Sequence, residues 1–336
     1  MRNETRKKFN AYLSKLASLN GVDDATKTFN VIPSVQQTME KKIQESSEFL
    51  KRINMIGVTE QQGEKLGLSL SGPIASRTDT TSQAREPRDL TTLDKNGYYA
   101  RQTNYDSFIP YAKLDAWAQF PEFQQLIRDM LLTRQALDRI MIGFNGRSIA
   151  ATTNPETNPL LQDVNKGWLQ KQRDSAPERV MDQGKAGGKI MVGGADADYK
   201  NIDAMVYDAI NLLDPWHTEN PRLVAILGRG LMHDKYFPLV NQDSKATDTL
   251  AADIIISQKR VGGLPAVQVP YFPANTVTIT TLDNLSLYWQ TGGRRRHVLE
   301  NPARNRVDTF ESSNDDYVVE DHGLMAVVEN IQIAEA

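Results

Sequence analysis

The stretch PEFQQLIRDMLLTRQALDRIMIGF, residues 121–144, decides how the rest of the chain is organised. Its apolar residues recur at spacings of three and four, the period of an amphipathic α-helix. They are Phe123, Leu126, Ile127, Met130, Leu131, Leu137, Ile140, Met141 and Phe144. Pro121 suits a first helical turn, and Asn145-Gly146 supplies a residue that tolerates the left-handed conformation at a helix end. The stretch predicts one helix about 36 Å long, either the core helix of an α/β domain or the backbone of a flat building block.

Composition excludes several classes of protein. A chain of 336 residues predicts about two domains, and 40% hydrophobic with 24% charged residues is typical of soluble proteins. No apolar run is long enough to predict a membrane span, and the N-terminus lacks the apolar run of a secretory signal. The absence of cysteine excludes disulfides, thiolate metal ligands and cysteine nucleophiles. A net charge of −3 gives no general attraction to nucleic acid.

The N-terminal region predicts two helices joined by an exposed linker. Residues 1–20 form a basic amphipathic pattern whose apolar face is Phe9, Tyr12, Leu13, Leu16 and Leu19. A helix of about four turns is marginal alone in water, so we expect it to dock on something. After the linker 21–30, a second helix is expected from Ser34 to about Ile53, with Glu40 on its solvated side. Ser34 and Gln37 have the spacing of a capping box.

The region from Met55 to Pro110 has strand patterns at both ends and a polar tract between them. Met55–Gln61 and Lys65–Ser71 predict a hairpin around Gln62-Gly63-Glu64, and the polar tract from Pro73 to Asp94 is too poor in apolar residues to bury a core. A strand returns from Tyr98 to Pro110. A two-stranded arm fits this pattern and would have to lie on a neighbour, because such a ribbon is marginally stable alone. The alternative is a disordered surface loop.

The second half of the chain predicts a compact α/β domain over residues 199–290. Before it, Leu160–Ser175 is expected to be a helix, and 181–198 a glycine-rich loop that contains a short strand at Lys189–Val192. Within the domain we expect helices Asp203–Leu213, Leu231–Val240 and Thr247–Ser257, and strands Arg222–Gly228, Pro265–Val269, Thr276–Leu282 and Leu285–Gln290. After it, Gly292–His297 is expected to be a tight basic turn, and 304–333 strands that return beside the long helix.

A search for catalytic or metal-binding patterns is mostly negative. The chain has no Gly-x-Ser-x-Gly motif and no phosphate-binding loop. None of the histidines pairs with another at the helical spacing of zinc ligands: His217, His233, His297 and His322. His233-Asp234 could orient a general base, although a surface pair on a helix is favoured. Asp196, Asp198 and Asp203 could chelate a cation, but they lack the glycine and closing glutamate of a calcium loop. We predict no catalytic, cofactor or metal site.

The clearest basic cluster is Arg294-Arg295-Arg296. It could contact phosphate or an acidic surface of a neighbouring subunit, or it could be a solvated hairpin turn. The tyrosines Tyr98, Tyr99 and Tyr105 could stack on bases, or simply pack in a strand. Because the arm and the N-terminal helix both need a surface to lie on, the pattern favours an assembly subunit over an enzyme.

Long, non-repetitive strings of the sequence carry a family resemblance. They are RNETRKKFNAYLSKLASLNGV (2–22), QESSEFLKRIN (44–54), GEKLGLSLSGPIASRTDT (63–80), NPLLQDVNKGWLQKQRDSAPERVM (158–181), AADIIISQKRVGGLPAVQVPYFPAN (251–275) and ENPARNRVDTFESSNDDYVVED (300–321). With these strings the chain resembles the major capsid proteins of P2-like tailed bacteriophages, which have the HK97-like coat fold. The resemblance covers nearly the whole chain.

The resemblance implies an α+β fold of five parts. Residues 1–54 correspond to an N-terminal arm that carries a scaffold-like helix at 1–20, and 55–111 to the extended two-stranded loop that reaches over an adjacent subunit. Residues 112–198 correspond to the peripheral domain with its spine helix at 121–144, 199–290 to the axial domain, and 291–336 to strands that return to the peripheral domain.

The resemblance also implies a function and its partners. Such proteins assemble as hexamers and pentamers into an icosahedral procapsid in the host bacterial cytoplasm, and the shell expands on DNA packaging. The implied partners are an internal scaffold and maturation protease, a portal at one vertex and double-stranded DNA bound without sequence specificity, with no membrane. An encapsulin-like nanocompartment shell of the same fold is the alternative, and a hydrolase that uses His233-Asp234 is a third hypothesis.

In related phages a protease removes the N-terminal segment during maturation. The matching junction in this chain lies near Phe29-Asn30, within TKTFNVIPSV. The resemblance therefore implies cleavage at this point. Covalent cross-linking between subunits is not supported, because no motif assigns a lysine–asparagine pair.

Overall fold

The computed structural model describes residues 1–64, 69–70, 75, 77–85, 91–92, 97–185, 187–232, 235 and 259–334. The α-helices with described bounds are α1 Asn3–Leu19, α2 Pro33–Glu45, α3 Tyr111–Trp117, α4 Phe123–Asn145, α5 Trp168–Ser175 and α6 Ile202–Ala209. Residues 229–232 are helical as well. Short 3₁₀ turns lie at Leu50–Arg52, Pro177–Arg179, Ile210–Leu212, Leu282–Asn284, Pro302–Arg304 and His322–Leu324. None of the described helices is long and apolar enough to cross a membrane.

The strands are mostly short, apart from one of 14 residues near the C-terminus. They are β1 Phe29–Asn30, β2 Asn54–Val58, β3 Gln62–Gly63, β4 Ser69–Leu70, β5 Thr91–Thr92, β6 Tyr98–Tyr99, β7 Arg101–Asn104, β8 Ser107–Pro110, β9 Val180–Met181, β10 Ile190–Val192, β11 Val224–Leu227, β12 Arg260–Val261, β13 Leu264–Gln268, β14 Val277–Thr280, β15 Leu285–Gln290, β16 Arg295–Asn301, β17 Arg306–Val319, β18 Ala326–Val328 and β19 Ile331–Ile333.

Two sheets organise the fold. The first has the order β1-β16-β17-β15-β2, with β7 and β8 also paired to β17. The second has the order β12-β13-β11-β14-β18-β9. The expected fully buried strand is confirmed, because all four residues of β11 are buried at the centre of the second sheet. The short strand expected at Lys189–Val192 is also present as β10, which pairs in parallel with β19.

The long helix is confirmed as α4, and two details of its ends are corrected. The helix begins at Phe123 with Glu122 at its N-cap, so Pro121 lies outside it. At the other end Gly146 has φ −62°, not a left-handed conformation. Glycine is needed there for a different reason, because a Cβ atom would lie 2.1 Å from the carbonyl oxygen of Asn165.

The first two helices are confirmed with different boundaries. Helix α2 ends at Glu45 and is followed by a 3₁₀ turn, instead of running on to Ile53. Its N-cap is Ile32 and makes no side-chain capping bond, so the expected capping box at Ser34 is wrong. The reason is that Pro33 takes the first helical position, where its missing N–H costs nothing. Glu40, expected to be solvated, is 3% exposed.

The expected local hairpin is wrong, but an arm of two strands is present. Strand β2 pairs in parallel with the distant strand β15. The arm instead pairs β3 with β6 and β4 with β5. Part of the expected strand Lys65–Ser71 and of the polar tract 73–94 lies outside the described residues.

Sheet membership also corrects the expected boundaries in the second half. Strand β15, expected in the α/β domain, belongs to the first sheet. Strand β18, expected beside the long helix, pairs with β14 in the second sheet. Helix α5 begins at Trp168, later than expected. The expected start near residue 160 is excluded because Leu161 has a φ of 57°, a left-handed conformation that an α-helix does not contain. The helices expected at Leu231–Val240, apart from its first residues, and at Thr247–Ser257 lie outside the described residues.

Candidate functional site

A cluster of five buried charged residues lies where α2, α4 and the first sheet meet. We call Glu40, Arg139, Arg294, Glu311 and Asp315 the charge cluster; each is 3% exposed or less. Helix α2 contributes Glu40 and helix α4 contributes Arg139. Arg294 immediately precedes β16, and the two remaining carboxylates lie on β17. The cluster therefore joins segments that are far apart in sequence.

Arg139 holds two of these segments together. Its guanidinium donates to both carboxylate oxygens of Asp315, at 3.0 and 3.1 Å. It also donates to both oxygens of Glu40, one of them at 3.2 Å. The planar guanidinium suits two such forked contacts at once. Helix α4 is thus bound to α2 on one side and to the long strand β17 on the other.

Arg294 binds the cluster from its position just before β16, which lies beside the middle of β17. Its guanidinium donates to Glu311 at 2.6 Å and to Glu40 at 2.7 Å, and a third bond goes to the Gln135 side-chain oxygen. Glu40 is therefore shared between two arginines. Burial by itself would raise the pKa of the Glu311 carboxyl, but the guanidiniums of Arg294 and Arg296 outweigh it and lower that pKa. The carboxylate consequently stays ionised inside the protein.

The strands β7 and β8, with Tyr105 between them, follow the arm in the chain, and we call them the arm base; they are bonded to the same cluster. The Tyr105 hydroxyl, just after β7, donates to Asp315 at 2.9 Å, and Ser313 donates to the other oxygen at 2.8 Å. Burial raises the pKa of Tyr105 well above its usual value, and the Asp315 charge adds to this effect. The hydroxyl therefore remains a donor. The position of the arm base depends on the position of Asp315.

The structure separates the three arginines that the sequence presents as one basic patch. Arg294 is fully buried in the charge cluster. Arg296 is 8% exposed, and its guanidinium donates a hydrogen bond to the Tyr12 hydroxyl at 3.0 Å. Only Arg295 is exposed. The expected solvated turn is therefore corrected, since Arg295 and Arg296 lie in a strand. In this conformation only Arg295 can offer its charge to DNA or to another subunit, and such a contact remains a proposal.

The residues of the possible cleavage junction form strand β1. Phe29 pairs with Arg296, and Asn30 pairs with Arg295. Phe29 is 7% exposed, whereas Asn30 and the residues Thr26–Thr28 before the strand are exposed. The junction is thus partly covered in this conformation, next to an exposed linker.

The other candidate residues have structural roles where they are described. The Asp198 carboxylate accepts the backbone N–H groups of Lys185 and Met191, both at 2.8 Å, while Asp203 accepts from Lys235 and from the backbone of Gly262. These aspartates do not share one site with Asp196 among the described residues. The pair His233-Asp234 lies outside the described residues.

Tyr98 and Tyr105 pack within the chain. The Tyr98 ring contacts the Tyr288 ring with their centroids 5.2 Å apart, and Tyr105 is 9% exposed. Tyr99 lies beneath the Arg101 guanidinium, 3.8 Å from it. Strand packing, the simpler of the two expectations, is therefore how the structure uses Tyr98 and Tyr105.

One group that sequence spacing did not indicate could hold a cation by geometry. Ligand atoms of Asp214, His217 and Asp321 lie within 4.8 Å of one another. These atoms already have partners, since Asp214 accepts from Arg179 at 2.6 Å and His217 lies 2.9 Å from Asp321. These contacts connect two loops, and this structural role explains why the three side chains lie close together.

The charge cluster itself was missed from sequence, although some signal was present. Arg139 lies three residues from Ala136 and Ile142 along α4, and Glu40 lies three residues from Ile43 along α2, so each shares a helix face with apolar residues. A charged residue at an apolar position of a helix indicates either a break in the pattern or a buried partner. Nothing in the local sequence identifies that partner.

We predict that Arg139→Ala lowers the free energy of unfolding by about 3–5 kcal/mol, because it leaves buried carboxylates without a counter-charge. Arg128→Ala is the matched control: it lies on the same helix and is paired with Asp129, but both side chains are about half exposed, at 42% and 58%. An exposed pair of this kind is worth about 1 kcal/mol or less. Urea denaturation of the two variants measures the difference, and equal losses would contradict the role given to Arg139.

Comparison with known proteins identifies the family. The profile of the family described as "Phage major capsid protein, P2 family" matches residues 8–331. The chain is 50% identical to the "Capsid proteins" of Escherichia phage P2, with 100% of this chain and 96% of that protein covered. It is 44% identical to the "Major capsid protein" of Serratia phage KSP20, with 100% and 99% covered.

Solved structures agree with this grouping. A chain of the "Satellite phage P4 procapsid including size determination (Sid) protein" superposes with a TM-score of 0.82 at 48% identity, over 100% of this chain and 99% of that one. A capsid chain of a native GTA particle has a TM-score of 0.52 at 12% identity, over 85% and 91%, which is a likeness of fold alone. The fold is the HK97-like α+β coat fold, and the chain belongs to the P2 family of phage major capsid proteins, structural proteins that build the virion shell.

Proposed function

We propose that copies of this chain assemble as hexamers and pentamers into an icosahedral procapsid, which expands when double-stranded DNA is packaged. The observation that carries this proposal is the similarity at 48% identity, over the full chain, to a subunit of a solved procapsid. An encapsulin-like compartment is not favoured, because both full-length relatives described above are phage capsid proteins. The assembly takes place in the host bacterial cytoplasm.

The architecture supports specific roles for the parts of the chain. In this proposal residues 1–54 are the N-terminal arm, 55–111 the loop that reaches over a neighbour, 112–198 the peripheral domain, 199–290 the axial domain and 291–336 the strands that return to the peripheral domain. Strand pairing refines these bounds: β2, β7, β8 and β15 join the return strands in the first sheet, and β18 joins the axial domain because it pairs with β14. The arm is a two-stranded ribbon, which needs a surface to lie on. A neighbouring subunit supplies that surface.

The proposed shell also has other partners. An internal scaffold and maturation protease acts from the inside, a portal occupies one vertex, and DNA is held without sequence specificity. The net charge of −3 supports a shell that does not bind DNA by bulk charge. Arg295 is the exposed member of the basic cluster and is the proposed contact to DNA or to a neighbouring subunit.

Electron microscopy of the protein expressed alone, and then with its scaffold, tests the assembly proposal. We expect closed shells of one diameter when the scaffold is present, and irregular shells or none when it is absent, because a scaffold selects the curvature of the shell. A small monodisperse protein under both conditions would contradict the proposal.

We also propose that a phage protease removes the N-terminal segment near Phe29-Asn30. The exposed residues Thr26–Thr28 support this placement, because they give a protease access beside the junction. Sequencing the N-termini of shells from infected cells should find chains that start near residue 30. A start at Met1 or Arg2 in every shell protein would refute the proposed cleavage.

A further inference from the structure

Helix α1 occupies an apolar groove on the rest of the chain. Its residues Phe9, Leu16 and Ala17 are buried, with Phe9 only 4% exposed. The groove is lined by side chains of α3, α4 and the first sheet, all of them buried: Ile109, Leu114, Phe123, Ile127, Val298 and Val307. Burial of this kind is the main source of binding free energy for an amphipathic helix in a groove.

Polar contacts fix the helix in one orientation. The Arg6 guanidinium donates to both oxygens of Glu300, at 2.6 and 2.9 Å. The backbone N–H of Arg2 donates to Asp115 at 2.9 Å, near the start of the helix. Further along, the Tyr12 hydroxyl accepts from Arg296 at 3.0 Å. Contacts are thus distributed along the length of α1.

The linker after α1 contributes much less to holding the helix. Among residues 23–28 only Ala25 is buried, and the turn around Asp24 is closed by the linker's own Thr26. The linker contacts β16 through the backbone N–H of Val298, which donates to the Ala25 carbonyl at 3.3 Å, and through the Thr28 hydroxyl, 3.0 Å from the His297 ring. The side-chain contacts of α1 are therefore what hold it in place. The covalent connection mainly keeps its local concentration high.

We propose that the groove is a peptide-binding site whose ligand is this chain's own segment 1–22, so that cutting the linker does not by itself release the helix. The biological meaning rests on the proposed processing near Phe29-Asn30. The fragment produced there would retain every contact of α1 and would add the buried side chain of Phe29. Cleavage and release are then separate steps, and release requires a change in the groove.

The test uses the full chain with the recognition sequence of a site-specific protease inserted after Asp23, within the exposed linker. After cleavage, size-exclusion chromatography at about 150 mM salt and mass spectrometry measure how much of the fragment remains with the body of the protein. We expect the fragment to co-elute. This experiment does not depend on the natural protease, so its result is independent of whether processing occurs in the phage.

Matched substitutions on α1 identify what holds the fragment. Phe9→Ala should weaken retention on the order of 100-fold, because it removes a large buried ring, and Leu16→Ala should act in the same direction. Asn10→Ala, beside Phe9 but exposed, should leave retention unchanged. Arg6→Ala should cost less than about five-fold, since its ion pair with Glu300 is partly exposed. Circular dichroism before cleavage checks that each variant is folded.

Immediate loss of the fragment from the unsubstituted chain would overturn the proposal. Equal retention in the Phe9→Ala, Leu16→Ala and Asn10→Ala chains would also overturn it, because the apolar groove would then not be the binding site. If such a chain still forms uniform shells with its scaffold, the shell proposal stands although the groove proposal has failed.

Discussion

The rest of the structure depends on the two buried ion pairs that Arg139 forms with Glu40 and Asp315. Two charges buried together are costly to desolvate, and their mutual attraction offsets that cost only when the geometry is good and the remaining hydrogen bonds are made. Here those bonds are made, by Arg294, Ser313 and Tyr105. The arrangement is therefore sensitive to position, and a small displacement of one segment leaves a charge of another segment without its partner.

This sensitivity to position suits a shell subunit, whose parts must fit against neighbouring subunits. The cluster joins α2, the long helix α4, the segment that leads into β16, strand β17 of the first sheet, and Tyr105 of the arm base. A subunit that must fit its neighbours needs these parts in fixed relation to one another. An apolar core alone tolerates slippage more easily, because apolar contacts are non-directional. The hydrogen bonds of the charge cluster are directional and fix the relative positions of these segments, while the surrounding apolar residues supply most of the stability.

Local patterns predicted much of this fold, and long-range pairing was where they failed. The periodicity of residues 121–144, the amphipathic pattern of α1 and the apolar run of β11 are local properties, and all three elements are present. The partner of β2 is not local: Asn54–Val58 pairs with β15, more than 200 residues away, and not with the adjacent segment. The pattern at 294–296 predicts a basic turn that is either solvated or in contact with phosphate or another subunit, because nothing nearby in the sequence shows that Arg294 pairs with Glu40 and Glu311 inside the protein.

Hydrogen–deuterium exchange of the Arg139→Ala chain, compared with the Arg128→Ala chain, tests most directly whether the charge cluster fixes these parts together. The cluster account predicts that Arg139→Ala speeds exchange in α2, in β7 and β8 at the arm base and in β16 at the same time, while Arg128→Ala leaves all three unchanged. Faster exchange confined to α4 would contradict it, because the cluster would then stabilise its own helix without joining the distant segments.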